Sequence, residues 1–153
     1  MKIALGCDEA AFDLKEIIKD FLVDLGQEVK DLGVFNKEPV LYPDIAFQVA
    51  SNVANNESER GILICGTGIG MAITANKVPG IRAAVCHDLY STERSILSNN
   101  CQVLTMGARV IGVETAKAMV KRWLELTFVD GRSTKKIQRI SSIEKKFSKL
   151  PRK

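Results

Sequence analysis

The chain has 153 residues, 46% hydrophobic and 26% charged, with a formal net charge of +4, proportions that suit one globular domain with a sizeable core. No apolar run approaches the roughly 18 residues that a membrane-crossing helix needs. The opening MKIALGCDEAAF turns acidic after one short apolar stretch, too early for a secretory leader, so a cytoplasmic protein with no membrane partner is expected.

Apolar runs alternate with helical patterns along the chain. Residues 2–6 (KIALG) read as a buried strand. Leu14, Ile17, Ile18, Phe21, Leu22 and Leu25 then lie on one face of a helix that Gly26 stops. Residues 29–32 give a short strand. Tyr42-Pro43-Asp44 starts a helix whose apolar face is Ala46, Val49, Ala50 and Val53. Residues 61–65 (GILIC) form a strand bounded by glycines, and a glycine-rich turn leads into a helix over about 70–77. A strand at 83–86, a helix at 90–99, a strand at 103–107 and a long helix at 113–127 follow. After a break at Asp130-Gly131 comes a last helix over about 133–146.

Five strands that are apolar on both faces, joined by helical crossovers, predict a parallel sheet covered on both sides. The expected fold is therefore one doubly wound, Rossmann-like α/β domain over 1–147. It carries an extra C-terminal helix and a basic tail at 148–153. Residues 132–153 hold nine Lys/Arg against one acid, while the rest carries 13 Lys/Arg against 17 acids. An acidic body with a basic end suits the holding of an anion. The basic stretch lacks the regular aromatic interleaving of a single-strand binder, so no nucleic-acid partner is expected.

The four cysteines, Cys7, Cys65, Cys86 and Cys101, form no CxxC pair, and His87 is the single histidine. Neither a zinc site nor a disulfide framework fits that set, and no metal or cofactor is expected. In doubly wound sheets ligands bind beyond the carboxyl ends of the strands. Those ends carry Cys7-Asp8-Glu9, Cys65-Gly66-Thr67-Gly68, His87-Asp88 and Gly107-Ala108-Arg109.

The stretch 61–71 (GILICGTGIGM) is the most informative. A thiol ends a strand just before a helix start, where main-chain N–H groups and the helix dipole favour anions. Such a field can lower a thiol pKa. Three readings compete: a base directed at a sugar or carbonyl, a dinucleotide fingerprint, and a plain strand–helix turn. The dinucleotide reading fits worst, because the spacing is GxGxG with Met71 at the third glycine position, and the motif follows the third strand.

CDEAAFDLKEII, YPDIA, RGILICGTGIGMAITANKVPGIRAAVCHD and VLTMGARVIG resemble type B ribose-5-phosphate isomerases. That family also includes galactose-6-phosphate isomerase subunits and tetrose-phosphate isomerases. The resemblance runs from Met1 to about residue 140. It implies a metal- and cofactor-independent aldose–ketose isomerase that works through a cis-enediolate. Carried over, Cys65 is the base that moves a proton between C1 and C2, and Thr67 assists at the same atoms. The Gly66, Gly68 and Gly70 loop, with Asn76, holds the enediolate, and Asp8 binds sugar hydroxyls. Glu9, His87, Ser98 and Asn99 complete the expected substrate contacts. Arg109, Arg132 and Lys136 correspond to the phosphate-binding cations, the last two supplied by a neighbouring subunit of a homodimer or dimer of dimers. A non-catalytic subunit of a hetero-oligomeric isomerase, or a galactose-6-phosphate isomerase, is the alternative.

Three positions depart from the ribose-5-phosphate pattern. Asp8-Glu9 stands for the usual Asp-His, Ser98 for the histidine before the Asn pair, and Gly131-Arg132-Ser133 for Gly-Arg-His. The histidine missing at Ser98 is the one assigned to opening a furanose ring. A tetrose 4-phosphate has its O4 blocked and forms no furanose, and STERSILSNN resembles the tetrose-phosphate branch. The expected substrate is therefore a C4–C5 phosphosugar: the ribose 5-phosphate/ribulose 5-phosphate or the erythrose 4-phosphate/erythrulose 4-phosphate pair.

Overall fold

The computed structural model describes residues 1–148; residues 149–153 of the expected basic tail lie outside the described residues. Five strands, β1 (Lys2–Cys7), β2 (Glu28–Asp31), β3 (Arg60–Cys65), β4 (Ala83–Val85) and β5 (Val103–Gly107), form one parallel sheet in the order β2-β1-β3-β5-β4. Six helices accompany them: α1 (Phe12–Asp24), α2 (Tyr42–Ala54), α3 (Ile69–Ala75), α4 (Leu89–Leu97), α5 (Val113–Glu125) and α6 (Thr134–Ser148).

Alternation along the strands sends side chains into two cores. Ile3, Leu5, Ile62, Ile64, Leu104 and Met106 meet Leu14, Ile18 and Leu22 of α1 and Met119, Val120 and Trp123 of α5. Ala4, Leu63, Cys65 and Val103 meet Val49, Ala50 and Val53 of α2 and Met71 and Ala75 of α3. Each such fully buried aliphatic side chain contributes about 1.5–3 kcal/mol relative to exposure. Helix α6 is different. Ile137 is buried, but Ile140, Ile143 and Phe147 of the same helix stay exposed.

The elements agree with the sequence reading to within a few residues. One short element was not expected, a 3-10 turn over Glu9–Ala11. Its cause is local: the Asp8 side chain accepts the Ala11 N–H at 3.2 Å and starts the turn before the apolar helical spacing begins.

The chain leaves β1 toward one sheet edge, to β2, and leaves β3 toward the other, to β4 and β5. Adjacent strands whose connections diverge open a crevice at their carboxyl ends. The residues there are Asp8 after β1 and Gly66-Thr67 after β3, with Arg109 just beyond β5.

Candidate active site

Cys65 ends β3 on the α2/α3 side of the sheet. Its sulfur accepts the Gly68 N–H at 3.0 Å. Gly68 adopts φ +78°, and a Cβ there would lie 2.9 Å from the Met106 carbonyl carbon. Only glycine suits both the left-handed backbone and this close approach, and the loop can therefore fold back over the thiol. The buried Thr105 hydroxyl donates to the Gly68 carbonyl at 2.9 Å and anchors the loop from below. The Thr67 hydroxyl accepts the Ile69 N–H at 3.3 Å, which leaves its own proton free to donate outward. The first N–H groups of α3 have no partner within the helix.

Cys65, Gly66, Thr67 and Gly70 line a cleft of about 440 Å³ together with Asp8, Tyr42, Ile69, Ile73 and Arg109. Burial and the neighbouring Glu9 carboxylate push the Asp8 carboxyl above its ordinary range, against the pull of the Ala11 and Ala10 N–H groups and Arg109. Arg109 lies over the loop, its Cδ 3.5 Å from where a Gly66 Cβ would be.

Tyr42 is the residue that sequence reasoning missed. In the sequence it marks only a helix start, since YPDIA begins α2. Its ring lies so close to Gly70 that a Cβ there would be 2.5 Å from the ring Cζ and 2.6 Å from the hydroxyl. Gly70 thus serves to admit Tyr42, and no periodicity reports a contact made across two helices.

Several expected site residues fall elsewhere. Asn76 donates to the Ala83 carbonyl at 2.8 Å and accepts the Ala83 N–H at 2.9 Å, so its amide ties α3 to β4 and is not among the groups lining the cleft. His87 accepts the Gly107 N–H through Nε2 at 2.9 Å. The Glu9 carboxylate accepts the Val40 N–H at 3.2 Å, holding the segment that leads into Tyr42. The Asn99 amide donates to the Arg94 carbonyl at 2.9 Å and closes the end of α4. Ser98, Arg132 and Lys136 line a second cavity, of about 380 Å³, with Arg94, Leu97, Val129 and Ser133. The two cavities share no lining residue.

The other three cysteines behave as buried small hydrophobes. Burial pushes the Cys7 and Cys101 thiols up to about 12 and the Cys86 thiol up to about 11. Among the described residues no group of three or more His, Cys, Asp or Glu side chains could hold a metal ion. No helix among them is long and apolar enough to cross a membrane.

Residues 3–140 match the family model described as Ribose/Galactose Isomerase. The chain belongs to the ribose/galactose isomerase family. It is 51% identical over 146 residues to ribose-5-P isomerase B of Listeria innocua, covering 95% of this chain and 99% of that one. It is 48% identical over 145 residues to D-erythrulose-4-phosphate isomerase of Pectobacterium atrosepticum, covering 94% and 95%. Among solved structures, that of Clostridium thermocellum ribose-5-phosphate isomerase B superposes with a TM-score of 0.94 at 46% identity, covering 96% of this chain and 99% of that one. In this member of the family, Gly66, Gly70, Cys65, Asp8 and Arg109 line the cleft at the sheet crevice.

Proposed function

We propose that this chain interconverts an aldose phosphate and a ketose phosphate of four or five carbons through a cis-enediolate. The observation that carries this is the Cys65 sulfur beside the Gly68 N–H at 3.0 Å, in a cleft with Thr67, Asp8 and Arg109. Cys65, as thiolate, removes the proton from C2 of the open-chain aldose, and the C–H electron pair moves to make the enediolate with its charge on O1. Main-chain N–H groups of the Gly66–Gly70 loop stabilise that charge by several kcal/mol. The same proton returns to C1, and the O2 proton passes to O1 by way of the Thr67 hydroxyl, which can donate and accept. Asp8 holds sugar hydroxyls, with Tyr42 at the wall. No step needs a metal or a cofactor, so a chelator leaves turnover unchanged.

The phosphate is held by Arg132 and Lys136. Because these line a cavity that shares no residue with the Cys65 cleft, a complete site takes its thiol from one copy and these cations from a second. The exposed Ile140, Ile143 and Phe147 of α6 are the face that a second copy would cover. On this reading the working unit is a homodimer or a dimer of dimers.

The four-carbon substrate is favoured over the five-carbon one. The single histidine is spent on the Gly107 N–H, and Ser98 occupies the cationic cavity where a ring-opening imidazole would stand. Cys65→Ala, assayed with erythrose 4-phosphate and ribose 5-phosphate, is expected to keep its fold and lose at least about 100-fold in turnover. Near-normal turnover in that variant overturns the proposal.

A further inference from the structure

The cavity lined by Ser98, Arg132 and Lys136 contains a third cation, Arg94, which the family resemblance does not assign. Arg94 lies one turn before Ser98, the residue that caps α4, and both line the cavity. Three features make this cavity an anion site. None of its lining residues is acidic. Among the described residues, Arg94, Arg132 and Lys136 take part in no ion pair, although Arg122 and the lysines of α1 do. The Arg94 Nε has no hydrogen-bond partner, so no protein group ties down or neutralises the guanidinium through that donor. The guanidinium also lies 5.7 Å from the Tyr90 ring centroid, a contact that does not neutralise it. The cavity sits at the first turn of α6, whose dipole adds to the positive field.

We propose that Arg94 is a ligand of the substrate's terminal anion and that it sets a preference for a dianion over a monoanion. The assignment deepens the phosphosugar reading above and rests on it for the identity of the natural ligand. Three cations without an acid are far from balanced by one negative charge. A phosphate monoester above its second pKa of about 6 offers two charges, and its three free oxygens match the array. A sulfonate of the same shape offers one charge at any pH. A planar guanidinium can grip two of those oxygens at once.

The test is a titration of the full chain with methyl phosphate and with methanesulfonate, followed by amide NMR shifts around Ser98 and Arg132 at pH 8. Wild type is expected to bind methyl phosphate about tenfold or more tightly than methanesulfonate, on the scale of one charge-assisted contact. Arg94→Met is expected to lose about tenfold for methyl phosphate and less than about threefold for methanesulfonate. Arg94→Lys, which keeps the charge, is expected to restore most of the preference and guards against a merely misfolded Met variant. Lowering the pH through 6 should erase the wild-type preference. Unchanged methyl phosphate binding in a folded Arg94→Met, or equal loss for both anions, overturns the assignment. Sugar-phosphate turnover is measured on the same samples. If turnover is absent but the titrations behave as stated, the isomerase reading fails and the anion site stands. If turnover depends on Cys65 but the titrations do not respond, only Arg94 falls.

Discussion

His87 Nε2 accepts the Gly107 N–H at 2.9 Å, and Gly107 in turn presses on the glycine loop, since a Cβ there would lie 2.7 Å from Thr67 Cα. The imidazole therefore props the floor of the cleft from just beyond β4. His87→Ala should cost about 1–2 kcal/mol of stability and reduce turnover of four- and five-carbon substrates by the same factor, while His87→Gln, which retains an acceptor, should recover much of both. A loss confined to ribose 5-phosphate in parallel assays would instead make His87 a ring-opening group.

Alkylation should discriminate among the four cysteines. Cys7, Cys86 and Cys101 are buried and pushed up to about 12, 11 and 12, so at pH 8 they are almost wholly thiols, which are poor nucleophiles. Cys65 alone lines the cleft. Iodoacetamide at pH 8 should modify one site per native chain, mapped to Cys65 by peptide mass, with activity lost in step. Early modification of Cys86 or Cys101 would contradict this picture.

Asp8 gives a pH signature. Its folded-state pKa is raised by burial and by Glu9. The folded protein therefore holds that proton more tightly than the unfolded chain does. The resulting penalty is absent below the ordinary value of 3.8 and grows as pH rises through the window up to the raised folded value. Asp8→Asn keeps an oxygen acceptor for the Ala11 N–H. It should melt no lower than wild type at pH 7, lose that pH dependence, and lose sugar binding as a higher KM. A lower melting temperature at pH 7 would show that the charge itself stabilises the fold.

Lys15 is fully buried, with its ammonium 2.5 Å from Glu16 and 2.8 Å from Asp31. Burial alone would raise the Asp31 carboxyl, but the hydrogen bonds from Lys15 and Gly33 win, and it sits below its ordinary range. Its contribution is present above the ordinary value of 3.8 and lost as pH falls through the lowered folded value. Lys15→Ala should destabilise by about 1.5–3 kcal/mol, the scale of a lost hydrogen bond to a charged group, because Asp31 then keeps only the longer Lys19 contact at 3.4 Å and the Gly33 N–H. Pairing it with Asp31→Asn should cost less than the sum, as a double-mutant cycle in urea can measure.

Gly70→Ala should shift the Tyr42 ring, because the new methyl would overlap it at 2.5 Å. The ring is partly exposed and can swing away, so stability should change little while kcat/KM falls about tenfold or more, as expected for a displaced positioning group. Wild-type activity in Gly70→Ala would remove Tyr42 from the site.

Much of this was legible in the sequence, and for a physical reason. The two periodicities, two in strands and 3.6 in helices, follow from which face is buried. KIALG, GILIC and VLTMG are buried on both faces, and their order of alternation with helices fixes where strand ends meet. Cys65, Thr67, Asp8 and Arg109 can therefore be grouped from the sequence, because all lie at or just beyond strand ends. Tyr42, Asn76 and Arg94 could not. Each depends on where a helix side chain points across to another element, which is set by packing of α2 on α3, of α3 on β4 and of α4 beside the start of α6. The separation of Arg132 and Lys136 from the thiol is expected from the family resemblance and echoed in the charge imbalance, while the cavity they share with Arg94 required the fold.

That separation carries an arithmetic of its own. If the two cavities join only between copies, a chain lacking its thiol and a chain lacking Arg132 are each inert alone, yet a hybrid of the two has one site with both defects and one with neither. Random exchange would give hybrids as half of all pairs, and about a quarter of wild-type activity would reappear on mixing two dead proteins.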